Sequence, residues 1–142
     1  MRRAGYIAVV IVGAGTSLAV WAQSMVTPAD VKWINDPTRP GIQSAALVGD
    51  SSKPGPYTRR IKLAPHTSVA PHWHPEERHV TTLSGTWYIG FGTVVDRSRA
   101  TKMVPGTFLR HPAKLPHFEF TTDQEVVVQV SGIGPTATEY VK

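Results

Sequence analysis

Between residues 57 and 130 the chain is cut by glycine or proline about every 8 to 12 residues. No stretch between the cuts carries a helical stripe of useful length. What lies between them alternates: Tyr57, Arg59, Ile61 and Leu63 are interleaved with Thr58, Arg60 and Lys62. Side chains of a strand point to opposite faces in turn, so this is the pattern of a half-buried strand. Residues 80–83, 86–91, 107–110, 117–121 and 125–130 read the same way. Strands this short and evenly spaced predict an all-β sandwich or barrel. A jelly-roll β-barrel would cover the strand edges and leave a central cavity lined by alternate residues. The predicted core is Trp87, Ile89, Phe91, Phe108, Val126, Val128 and Val130, with Tyr88 as readily a ligand-stacking shelf as a core residue.

The residues bearing chemistry fall inside this region. His72, His74 and His79 lie within one short segment that also holds Glu76, Glu77 and Arg78. In an extended segment His72 and His74 leave the same face, which makes half of a metal site; on a helix the same spacing would splay them apart. A turn-forming run, Pro112-Ala113-Lys114-Leu115-Pro116, then delivers His117 into another strand. Three neutral imidazoles hold a divalent first-row metal and leave coordination positions open. Iron, manganese, zinc, nickel and copper all accept such a ligand set. Alternation turns His79 to the opposite face from Arg78. A bulge after Pro75 would reverse that and make His79, or Glu77 of like parity, a fourth ligand. His66 reads as a solvated loop residue and His111, directly before Pro112, as structural.

These two blocks resemble the cupin family, whose first motif reads G-x5-H-x-H-x3,4-E-x6-G and whose second reads G-x5-P-x-G-x2-H-x3-N. His72, His74 and Gly85 match the first; Gly106, Pro112 and His117 match the second. Arg78 stands where the family places a glutamate ligand, Lys114 replaces a glycine, Thr121 replaces the asparagine, and no glycine precedes His72 at the family's distance. The resemblance covers residues 57–130, and residues 80–88 also look like small secreted bacterial cupins of unassigned activity. It implies the jelly-roll fold, a metal at His72, His74 and His117, and a homodimer. A guanidinium in place of a carboxylate beside a divalent ion must be compensated. Either Arg78 turns to Glu76 or Glu77, or a substrate carboxylate sits between it and the metal and Arg78 is a catalytic-site residue.

The length allows one domain. Residues 1–22 read as a secretory signal: Arg2 and Arg3 open it, an apolar run follows, and Val20-Trp21-Ala22 offers a cleavage site. A retained membrane anchor is the alternative, disfavoured by the glycines that dilute the run. Residues 23–56 read as a mostly loop arm with a helical turn near Thr27 and an edge strand over residues 42–48; residues 57–142 form the β-domain. Losing Arg2 and Arg3 lowers the formal charge of +5 by two, and no basic run or aromatic-interleaved stripe remains. A nucleic-acid partner is therefore not expected, nor stable membrane insertion once the signal is gone. The absence of cysteine excludes disulfides, thiolate ligands and a thiol nucleophile. The expectation is a periplasmic or secreted metal-dependent enzyme (an oxygenase, isomerase or hydrolase) acting on a small oxygenated or carboxylate-bearing molecule. A non-catalytic cupin that binds or senses an anion or carbohydrate is the alternative.

Overall fold

The alternation read from residues 57–63 is realised in a nine-residue strand, and the rest of the fold is built outward from it. The computed structural model describes residues 25–142; the predicted signal segment lies outside the described residues. Thr27 leads into a 3-10 turn, Pro28–Asp30, in which the Asp30 carboxylate accepts hydrogen bonds from the backbone N–H and hydroxyl of Thr27. Eleven strands follow: β1 (Ile34–Asn35), β2 (Ile42–Val48), β3 (Gly55–Leu63), β4 (Ser68–Trp73), β5 (Arg78–Ser84), β6 (Trp87–Phe91), β7 (Thr101–Met103), β8 (Phe108–His111), β9 (His117–Thr121), β10 (Val126–Gly134) and β11 (Glu139–Tyr140). Among the described residues no helix is long and apolar enough to cross a membrane.

All pairings are antiparallel. One sheet runs β1-β2-β3-β10-β5-β8 and the other β11-β4-β9-β6-β7, a jelly-roll of two sheets whose ladders do not close into a barrel. Tyr57, Leu63, Val80, Val126, Val128 and Val130 from the first sheet meet Trp87, Ile89 and Met103 from the second in one core cluster. The Trp87 indole N–H donates to Thr82 Oγ1 at 2.9 Å, so the largest core ring leaves no buried donor unmet. Gly85, the family's motif glycine, turns β5 into β6 at φ +73°; a Cβ there would sit 2.2 Å from the carbonyl oxygen of Glu125. Only glycine fits that turn.

Three expectations need correction. The edge strand expected over residues 42–48 is β2, but it is not at the edge: it pairs with β1 on one side and β3 on the other and buries Ile42 and Ala45. Phe91 ends β6 at 48% exposure, past the last residue paired with β7, where the core has run out. Phe108 is 62% exposed because β8 has the opposite parity from that expected: Leu109 packs against the core cluster and His111 is buried, while Phe108 lies outside against the His79 ring. Tyr88 also faces away from the core, stacked on Phe120 with ring centroids 5.0 Å apart.

Candidate metal centre

His72 and His117 are cross-strand partners in the β4–β9 pairing, and His74 follows two residues later, at the start of the turn into β5. The β4–β9 register shifts between Val69 and His72, at Pro71, a residue that cannot donate to a ladder and so suits a bulge. Opposite, the family's proline-rich turn is pinned by Lys114, at φ 59°, whose N–H donates to the His74 carbonyl at 2.8 Å. The ligand atoms of His72, His74 and His117 lie within 4.8 Å of one another, and all three side chains are buried.

Each ring is held from behind. His72 Nδ1 lies 2.8 Å from the Ala70 carbonyl oxygen, His74 Nδ1 2.7 Å from that of Ala137, and His117 Nδ1 3.3 Å from that of Leu115. A carbonyl oxygen only accepts, so each Nδ1 carries the proton and each Nε2 keeps its lone pair for the cavity. Burial, reinforced by the Arg78 charge, lowers the His74 pKa to about 2; burial and the neighbouring His72 lower that of His117 to about 2. Three buried nitrogen lone pairs facing one another, with their outer N–H groups fixed on carbonyls, fit a bound metal cation: this is the outer-shell support metal-ligating histidines use.

Arg78 faces the same pocket, and its guanidinium is engaged. Nη2 donates to Glu76 Oε1 at 2.6 Å and to Thr136 Oγ1 at 2.5 Å. Glu76 Oε1 also accepts from the Thr136 hydroxyl at 2.6 Å and from Tyr57 at 2.8 Å. Burial alone would raise the Glu76 pKa, but these hydrogen bonds and the Arg78 charge outweigh it and hold the carboxyl below its usual range. Of the two ways to compensate Arg78, the structure contains the ion pair with Glu76. Glu77 pairs instead with Arg110 and His79 on the exposed outer face, and His79 points away from the other three histidines. His66 is exposed beside Asp123.

Four residues of the site were not assigned from the sequence. His111 lies with its ring centroid 4.0 Å from that of His117; its Nδ1 is 3.1 Å from the Pro112 carbonyl, and its Nε2 is buried with no partner. Burial, with the Arg78 charge, lowers its pKa. Glu119 lies two residues past His117 on the same face of β9 and also lines the pocket. Arg59 lines it from β3, and Thr136 braces Arg78 from the chain that follows β10. Two of these had a legible signal: Glu119 in its parity with His117, and Arg59 in its place on the apolar row of β3. The pocket encloses a cavity of about 40 Å3, and Ile61, Leu63, Val80, Trp87, Ile89 and Leu109 supply apolar wall.

Known proteins share this arrangement of sheets. The chain is similar to the polyketide cyclase RemF from Streptomyces resistomycificus, with 20% identity, a TM-score of 0.70, and coverage of 85% of this chain and 87% of that one. It is similar to the DMSP lyase DddQ from Ruegeria pomeroyi at 17% identity and a TM-score of 0.63, over 80% of this chain and 62% of the lyase. KdgF from Halomonas sp. matches at 15% identity and a TM-score of 0.61, over 80% of this chain and 96% of its own. At these identities the likeness is one of fold. No curated protein matches the sequence. The model of the ChrR Cupin-like domain matches residues 22–137, spanning the histidine turn, the proline-rich turn and both sheets. The chain therefore belongs to the ChrR cupin-like family.

Proposed function

We propose that this cupin binds one divalent transition metal through His72, His74 and His117 and uses it to transform a small oxygenated or carboxylate-bearing molecule. The observation that carries the reading is the histidine triad itself, with ligand atoms within 4.8 Å and every Nδ1 turned to a backbone carbonyl. A structural metal would be enclosed by four protein ligands; three histidines at a pocket leave room for a substrate oxygen. A metal so held supplies Lewis acidity, polarising a bound oxygen or lowering the pKa of water. The protein's own contribution is orientation: the carbonyls of Ala70, Ala137 and Leu115 fix the three rings before anything binds. The apolar wall limits access of water, and Glu119, the carboxylate beside it in the pocket lining, would accept a proton from a bound molecule. Arg78, locked to Glu76, acts as a positioning residue.

The test is a turnover screen of small carboxylates and phenols, run with the metal-loaded protein and with His72→Ala. Turnover present in the first and absent in the second is expected. Saturable binding with no turnover of any member would favour the binding or sensing alternative.

A further inference from the structure

The inner row of β3 is Tyr57, Arg59, Ile61 and Leu63, and Tyr57 and Leu63 are 2% and 3% exposed. Arg59 is thus a cation in the middle of an apolar row, flanked by Ala46 of β2 and Val130 of β10. It lines the histidine pocket, and its Nε is buried without a hydrogen-bond partner. Among the described residues no carboxylate forms an ion pair with it: Glu76, whose charge favours it from a distance, is paired with Arg78, Asp36 is paired with Arg39, and Glu119, which lines the pocket, makes no ion pair with it. Burial and the neighbouring Arg78 charge press its pKa downward, so it sits in surroundings that resist its charge. Its guanidinium carbon lies 6.0 Å from the Tyr57 ring centroid, at the far limit of a cation–π contact and too weak to account for a buried charge. An uncompensated guanidinium on a core-facing row is destabilising, where leucine or valine would pack without that cost.

We propose that Arg59 is the anion receptor of this pocket and that it holds the carboxylate of a small monoanionic ligand with an apolar remainder. The proposal rests on the metal-site reading for where the rest of the ligand goes and deepens it by naming the ligand class. One planar fork matches one carboxylate with two parallel hydrogen bonds. The apolar wall beside that fork suits a carboxylate on a hydrocarbon body better than a fully hydrated phosphate. Ile61, Leu63, Trp87 and Leu109 offer the remainder an apolar surface. Arg78 does not serve this role: its Nε is also buried without a partner, but its charge is already balanced by the ion pair with Glu76.

The experiment is calorimetric titration of the whole protein with benzoate, its neutral isostere benzamide, and inorganic phosphate, in metal-loaded and chelator-stripped forms. Benzoate is expected to bind at least tenfold more tightly than benzamide. Arg59→Met should abolish that preference, Arg59→Lys should recover only part of it, and Arg60→Met, on the opposite face, should leave it intact. Equal binding of benzoate and benzamide by the unaltered protein would overturn the proposal without need of a variant. So would a benzoate preference that survives Arg59→Met, or phosphate binding more tightly than benzoate through Arg59. If stripped and loaded protein bind benzoate alike, with the same dependence on Arg59, the metal reading fails and the anion receptor stands.

Discussion

Replacing Glu76 by glutamine tests how the positive charge beside the histidines is held. Glu76 Oε1 accepts from Arg78, Thr136 and Tyr57 at 2.6, 2.6 and 2.8 Å, and the side chains of Arg78 and Glu76 are only 6% and 10% exposed. Glu76→Gln keeps the shape and an acceptor oxygen but leaves a buried guanidinium without its counter-charge. Breaking a buried pair from one side costs about 3–5 kcal/mol. That is a large part of the roughly 5–15 kcal/mol a domain possesses, and lowers the melting temperature by on the order of 10–20 °C. Urea denaturation at neutral pH reads the loss directly. The double variant Glu76→Gln/Arg78→Met should recover much of it, because the stranded charge is gone. The pH dependence carries the same signature. The folded-state Glu76 pKa lies below its ordinary value of 4.5, so its stabilisation is present above that value and lost as pH falls through the folded one. Glu76→Gln should lack this acid-dependent loss. A Glu76→Gln protein within about 1 kcal/mol of the parent, or no recovery in the double variant, would refute the reasoning.

Metal-free protein should lose stability on mild acidification. His74 and His117 have folded pKa values of about 2 against an ordinary 6.5, so the unfolded chain takes up protons below 6.5 that the folded one refuses; each should remove about 1.4 kcal/mol per pH unit, and a urea midpoint flat from pH 6.5 to 5 would contradict this. His79→Ala should keep the metal and change stability by less than about 0.5 kcal/mol, since that ring lies on the exposed face; elemental analysis showing metal loss would mean β5 has been given the wrong parity. Trp87→Ala should cost about 3–5 kcal/mol in the same denaturation assay, and a smaller loss would mean the two sheets pack less closely around the indole than described.

How far the sequence could be read differs from strand to strand. β9 coincides with the run expected from alternation, and in β5 the expected parity holds, with Arg78 inward and His79 outward. Gly85 and Gly106 both adopt positive φ, which ties the motif glycines to turns that other residues would strain. The parity of β8 is not fixed by its sequence, because a short strand with one aromatic and one leucine has no majority face. Placing Phe108 inside turns His111 outward, whereas Leu109 inside brings His111 to within 4.0 Å of His117, centroid to centroid. The long-range supports of the site are not legible. Ala137 holds His74 from 63 residues away, and Thr136 holds Arg78 from 58 away; nothing local in either segment encodes that meeting. Arg59 was visible as a charge on an apolar row, but only the absence of a partner gives it meaning.

The central claim is that His72, His74 and His117 together hold a metal. Elemental analysis of protein purified without chelator, beside the three single alanine variants, tests it most directly. About one divalent ion per chain is expected in the parent, with most of it lost from each of His72→Ala, His74→Ala and His117→Ala, because two ligands rarely retain a metal that three hold. Full occupancy in a folded His117→Ala protein, or a parent that takes up no metal when supplied with one, would contradict the account.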